Sequence, residues 1–170
     1  MPETWPISEE NKLGGTVTIR QKATFDLKQL YKQLDNFAKD NNYFFNEKNF
    51  TRKDGSAGSE YQIEWTFERK VTPFIKFYID VEIWSLRTRE VKEKDKILYE
   101  GDLEINIESR MEMDWQKKWE KNDFTKFLRK VYIYYIKKQY FLNYAGKMWE
   151  ETYDLHARLK TVLHQFSLPV

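Results

Sequence analysis

Three stretches of this chain alternate apolar and polar residues for longer than a common strand. In the first, Tyr61, Ile63, Trp65 and Phe67 alternate with Gln62, Glu64, Thr66 and Glu68. In the second, Ile75, Phe77, Ile79, Val81 and Ile83 alternate with Lys76, Tyr78, Asp80, Glu82 and Trp84. In the third, Ile97, Tyr99, Gly101, Leu103, Ile105 and Ile107 alternate with Glu100, Asp102, Glu104, Asn106 and Glu108. A period of two puts the members of each pair of sets on opposite faces of a strand. Strands that are apolar on one face need cover on that face only, so the pattern predicts an antiparallel sheet with helices on one side. Long antiparallel strands twist and coil, so the expected sheet is curved.

The connections support this reading. Asp54-Gly55-Ser56-Ala57-Gly58 is a turn, Thr72-Pro73 breaks the first long strand, and the polar run Lys92 to Lys96 reverses the chain. Gly101 inside a strand suggests a bulge or a close approach by a neighbour. Upstream, Thr16 to Lys22 reads as a short strand and Tyr43 to Lys53 as a weaker one. Between them, the spacing of Leu27, Leu30, Tyr31, Leu34, Phe37 and Ala38 predicts a helix over about 26–40. Thr24 or Asp26 can cap it, and Asn41-Asn42 ends it.

From Asp123 the period becomes helical, through Phe124, Phe127, Leu128, Val131, Tyr132, Tyr135, Ile136 and Leu142. Ile133, Tyr134, Tyr140 and Phe141 add bulk on other sides, so this helix is expected to be buried or to have a partner. Gly146 marks a kink or break before a final helix carrying Met148, Trp149, Thr152, Leu155, Leu159, Val162, Leu163 and Phe166, which ends before Pro169. Residues 1–14, with Pro2, Pro6 and Gly14, read as a flexible leader whose Trp5 is expected to dock on the body of the protein. Residues 15–168 read as a single domain.

The result is an α+β chain in the order β-α-β-β-β-β-α-α, with one curved antiparallel sheet of about five strands packed on long C-terminal helices. This order resembles the helix-grip, START-like folds, in which a curved sheet wraps a long final helix around a hydrophobic cavity. The likeness is one of topology. The chain has one helix where that family usually has two, five strands where more are usual, and an added terminal helix. The resemblance implies a cavity for a small apolar ligand.

Several chemistries are excluded or unsupported. The 170 residues contain no Cys, which rules out disulfides, a cysteine nucleophile and Cys-bound zinc. No glycine arrangement forms a dinucleotide or phosphate loop, and no serine sits in GxSxG. His156 and His164 are eight residues apart, roughly 12 Å along a helix, too far to share a metal. Asp80, Glu82, Asp102 and Glu104 could gather on the polar sheet face, but Lys76, Arg87 and Arg110 stand near enough to neutralise them. No catalytic residue, metal site or cofactor is assigned. No signal peptide and no membrane-length apolar run occur, so a cytoplasmic location is expected.

Two candidate sites remain. The chain has 12 Phe, 11 Tyr and 6 Trp. If the sheet curls around the 124–142 helix, Tyr61, Trp65, Phe67, Phe77, Tyr99, Tyr132 and Tyr135 line the interior. They form either a packed core or a pocket for a hydrophobic or aromatic small molecule or a lipid. The expectation is thus a non-catalytic binding module. The second candidate is the basic surface of Lys117, Lys118, Lys121, Arg129 and Lys130. From Asp114 to Val170 the chain has 11 Lys and Arg against 6 Asp and Glu, and the rest is mildly acidic. An interaction or scaffold role through the helical face, with a protein partner or as a homodimer, is the alternative. Binding of RNA is a lesser one.

Overall fold

The computed structural model describes residues 12–164. Five strands form one sheet: β1 (Lys12–Phe25), β2 (Phe44–Gly55), β3 (Gly58–Lys70), β4 (Ile75–Glu93) and β5 (Lys96–Met113). Their spatial order is β1-β5-β4-β3-β2 and every neighbouring pair is antiparallel. Helix α1 (Leu27–Asp40) lies between β1 and β2, so it carries the chain from one sheet edge to the other. After β5 come α2 (Asp123–Val131), a π-helical turn over Tyr132–Ile136, and α3 (Lys138–His164). The α+β class, the five antiparallel strands and the C-terminal helix are as expected. Most of the leader and Trp5 lie outside the described residues. Of its last members, Lys12 to Gly14 already belong to β1.

Register explains why one face is apolar. Ile79 faces Ser109, Val81 faces Ile107 and Ile83 faces Ile105 on the inner side. On the outer side Asp80 faces Glu108, Glu82 faces Asn106 and Trp84 faces Glu104. The pairing of β4 with β5 slips between Leu86 and Arg89, and within the slip the buried member of β4 is the even-numbered Thr88. Gly101 lies opposite this bulge. A β-carbon there would stand 2.8 Å from the Leu86 carbonyl oxygen and 2.9 Å from Thr88 Oγ1. The glycine is therefore a packing requirement of the bulged partner strand.

Two helices share the inner face. Asp26 caps α1, accepting from the backbone N–H groups of Lys28 and Gln29. Its Leu30, Leu34, Phe37 and Ala38 are buried. Tyr31 meets Trp65 edge-on at 4.8 Å and Phe37 meets Phe67 edge-on at 5.5 Å, which places α1 over β3. α3 buries Ala145, Met148, Thr152, Leu155, Leu159 and Leu163. Ser109 and Thr152 share a hydrogen bond of 2.5 Å, and Tyr144 packs edge-on against Phe77, which places α3 over β5 and β4. Gly15 on β1 gives α3 its seat, because a β-carbon there would collide with the Trp149 indole.

Two expectations are corrected here. The odd-numbered inner residues do not all face one C-terminal helix, since α1 claims Trp65 and Phe67. The helix gripped by the sheet is α3, not the 124–142 segment, and α3 runs through Gly146 without a break. Gly146 is exposed, where a glycine costs a helix about 1 kcal/mol. Burial of Ala145 and Met148 beside it outweighs that cost.

Replacing Gly101 with Val should lower unfolding free energy by about 1–3 kcal/mol, the usual penalty for overpacking. Urea unfolding followed by tryptophan fluorescence measures it. An unchanged midpoint would show that the bulge yields freely.

Candidate functional site

The aromatic residues chosen from the sequence separate in space. Tyr61, Trp65, Phe67 and Phe77 are buried on the inner face, as the alternation requires. Trp65 and Phe67 pack with Tyr31, Phe37 and Phe45 beneath α1. Phe77 packs with Tyr144. Tyr61 meets Tyr99 edge-on, and Tyr99 stacks on Phe25, near the other end of the sheet. Tyr132 belongs to a separate cluster, stacked on Trp119 and edge-on to Phe74 and Phe141. Tyr135 points away, with 82% of its surface exposed, so it lines no interior. The rings fill the space between sheet and helices. The gap enclosed by Phe25, Leu27, Tyr61, Ile63, Ile83, Ser85 and Tyr99 measures about 10 Å³, no more than one water needs. Above it, a cleft of about 510 Å³ opens between the start of α1 and the β4–β5 hairpin, lined by residues that include Leu27, Tyr31, Ile97 and Tyr99.

Sequence reasoning missed an ion pair between the half-buried Arg69 and the buried Glu151. The Arg69 guanidinium donates to both Glu151 carboxylate oxygens, at 2.8 and 2.9 Å, and to the Asn41 carbonyl at 2.5 Å. It lies over the ring of Tyr43 at 4.5 Å and the ring of Phe77 at 5.3 Å. The Tyr43 hydroxyl donates to Glu151 at 2.6 Å. Burial, and then the Glu151 carboxylate, push the Tyr43 phenol well above its ordinary pKa, so it stays a proton donor. The cluster ties α3 to β3 and to the chain leaving α1. A signal was present: Arg69 falls on the inward parity of Tyr61 to Phe67, and Glu151 interrupts the apolar stripe of Met148 and Leu155.

The four outer-face carboxylates expected to gather there, Asp80, Glu82, Asp102 and Glu104, each have a partner. Asp80 accepts from Thr66 at 2.6 Å and Arg110 at 2.7 Å, with the Lys48 ammonium at 3.7 Å. Asp102 pairs with Arg87, and Glu82 accepts from Gln62 at 3.3 Å. Hydrogen bonds from Asn106 and Arg20 hold the Glu104 carboxyl below the usual range. Their partners are the cations and polar side chains of the same sheet face, the arrangement of a charged outer surface. Among the described residues, no group of three His, Asp or Glu side chains is placed to hold a metal ion.

The basic candidates lead to the most unusual surface. Lys117, Lys118, Lys121 and Lys130 are exposed, but Arg129 is not. It is 6% exposed and donates to Asp114 at 3.4 Å and Glu120 at 3.1 Å. Asp114 also accepts from the backbone N–H groups of Lys118 and Trp119, so the loop after β5 is built around this pair. Asn122 and Thr125 form a reciprocal capping box at the start of α2. The inward side of α2 and the π turn is therefore Arg129 and Ile133, one helical step apart. Phe124, Phe127, Leu128 and Tyr135 recur at helical spacing on the opposite side and are exposed, joined by Tyr134, Ile136 and Tyr140. Phe124, Phe127 and Ile136 are each at least 60% exposed. The helix is amphipathic with its apolar stripe turned outward. The Lys137 amide donates to the Tyr132 carbonyl at 2.9 Å, closing the π turn that redirects the chain into α3.

No family model matches this sequence, and no curated protein does. Among solved structures, the chain aligns with the di-domain ARO/CYC StfQ from the steffimycin biosynthetic pathway at 6% identity. The alignment covers 89% of this chain and 52% of that one, with a TM-score of 0.24. The chain thus spans about half the length of that protein, and a likeness so slight carries no argument about activity.

Arg69→Met alone should cost about 3–5 kcal/mol, because it strands a buried carboxylate. Arg69→Met combined with Glu151→Leu should cost clearly less than the two single losses together. A double-mutant cycle in urea measures the difference. Strict additivity would mean that the pair does not act as a clamp.

Proposed function

We propose that the protein is a non-catalytic binding module that engages its partner through the outward stripe of α2 and the π turn. One observation carries this reading: an amphipathic helix holds a charged arginine inside and leaves Phe124, Phe127, Leu128, Tyr134, Tyr135, Ile136 and Tyr140 outside. Folding alone gives no reason for that orientation, since turning the helix over would bury the apolar side chains. The Asn122 cap, the Asp114–Arg129 pair and the π turn hold the stripe where a partner can reach it. The paired carboxylates of the outer sheet face and the filled interior favour binding at this surface over chemistry within.

A second reading rests on the cleft above Tyr99. At about 510 Å³ it matches the size of a small-molecule site, and Leu27 and Tyr99 line both it and the gap beneath. Here a small apolar molecule would sit at the α1 end of the sheet, not between sheet and C-terminal helix.

Phe124→Ser with Phe127→Ser tests the main reading. Both side chains face outward, so the urea midpoint should stay within the range of surface substitutions, about 0.5 kcal/mol. Fluorescence of an anilinonaphthalene dye should fall several-fold. A loss of stability above about 2 kcal/mol would place the stripe in the fold's own packing and end the proposal. For the cleft, Ile97→Glu should abolish any residual dye binding in that variant.

A further inference from the structure

Resting on the reading that the α2 stripe is a binding face, we infer that its partner is the surface of a phospholipid membrane bearing anionic headgroups. The charge around the stripe is the first reason. Residues 117–140 hold eight Lys and Arg against two Asp and Glu, while the rest of the chain holds 21 against 25. The two acids of the segment are turned on local cations: Glu120 on Arg129 at 3.1 Å and Asp123 on Lys126 at 3.6 Å. Lys117, Lys118, Lys121, Lys126, Lys130, Lys137 and Lys138 are all exposed. A strongly positive border around an apolar stripe matches a surface that is anionic at headgroup depth and apolar just below it.

The residue types separate a bilayer from the other partners of this chemistry. Protein interfaces are depleted in lysine, whereas lysines are the usual polar border of a helix lying in a membrane interface. Single-stranded nucleic acid stacks on flat rings. Leu128 and Ile136 are aliphatic and offer no such platform, but both enter the acyl boundary readily. Tyr134, Tyr135 and Tyr140 carry an apolar ring and a polar tip, the combination enriched at headgroup level. Length also fits. Residues 123–136 extend roughly 20 Å as a helix, too short for the ~30 Å hydrocarbon core but suited to lying in its plane. Among the described residues no helix is long and apolar enough to cross. The buried Arg129 then holds the helix to the domain while its outer side enters the interface.

Co-sedimentation of the full chain with phosphatidylcholine vesicles, with and without 30% phosphatidylserine, tests this. The anionic vesicles carry roughly the surface charge of an acidic membrane leaflet. Binding should be at least about tenfold stronger with phosphatidylserine and should weaken in high salt. Lys126→Gln and Lys130→Gln should each reduce it roughly fivefold. Phe124→Ser with Phe127→Ser should abolish it while the fold persists. Equal binding to both vesicle types, or none to either, overturns the inference. If vesicles are ignored but the chain forms a dimer that the Phe124, Phe127 variant returns to monomer, the membrane inference falls and the binding face stands. If the variant changes neither property, both fall.

Discussion

The sheet has one apolar face, and two helices from opposite ends of the chain must close it. The Arg69–Glu151 pair enforces that arrangement. Its guanidinium meets a carboxylate on α3, a backbone carbonyl just past α1 and the faces of two aromatic rings. An ion pair in this setting gains little over a well-packed apolar pair, because desolvation offsets much of its attraction. Its effect is directional instead. Any other seating of α3 leaves a charge unpaired in the core, a far larger penalty than an imperfect apolar contact.

Once α1 and α3 occupy the sheet, little inner surface remains for a third helix. This competition accounts for the position of α2. Its apolar residues match those of a core helix, but Met148, Thr152, Leu155 and Leu159 of α3 already fill the site they would need. α2 attaches instead by Arg129 and Ile133, and the π turn accommodates the change of direction between it and α3.

Much of the fold was legible because strand alternation is a local signal. The inner set from Tyr61 to Phe67 and from Ile75 to Ile83 needed no tertiary information. Gly101 was readable as a packing glycine, although the bulge it accommodates lies on β4, some fifteen residues away in sequence. Which helix the sheet would grip was not legible. Periodicity shows that a helix has an apolar stripe, and says nothing about which of two stripes wins the same surface. Tyr135 and Arg129 were misplaced for that reason, one assigned to the interior and the other to the surface. Arg69 and Glu151 each break an apolar period, and their pairing emerges only when β3 and α3 are brought together.

The capping box and the Asp114–Arg129 pair are made by side chains other than those of the outer stripe. Substitutions at Phe124, Phe127 or Tyr135 therefore carry almost no folding penalty. A change in what that surface binds is thereby uncoupled from the stability of the fold that presents it.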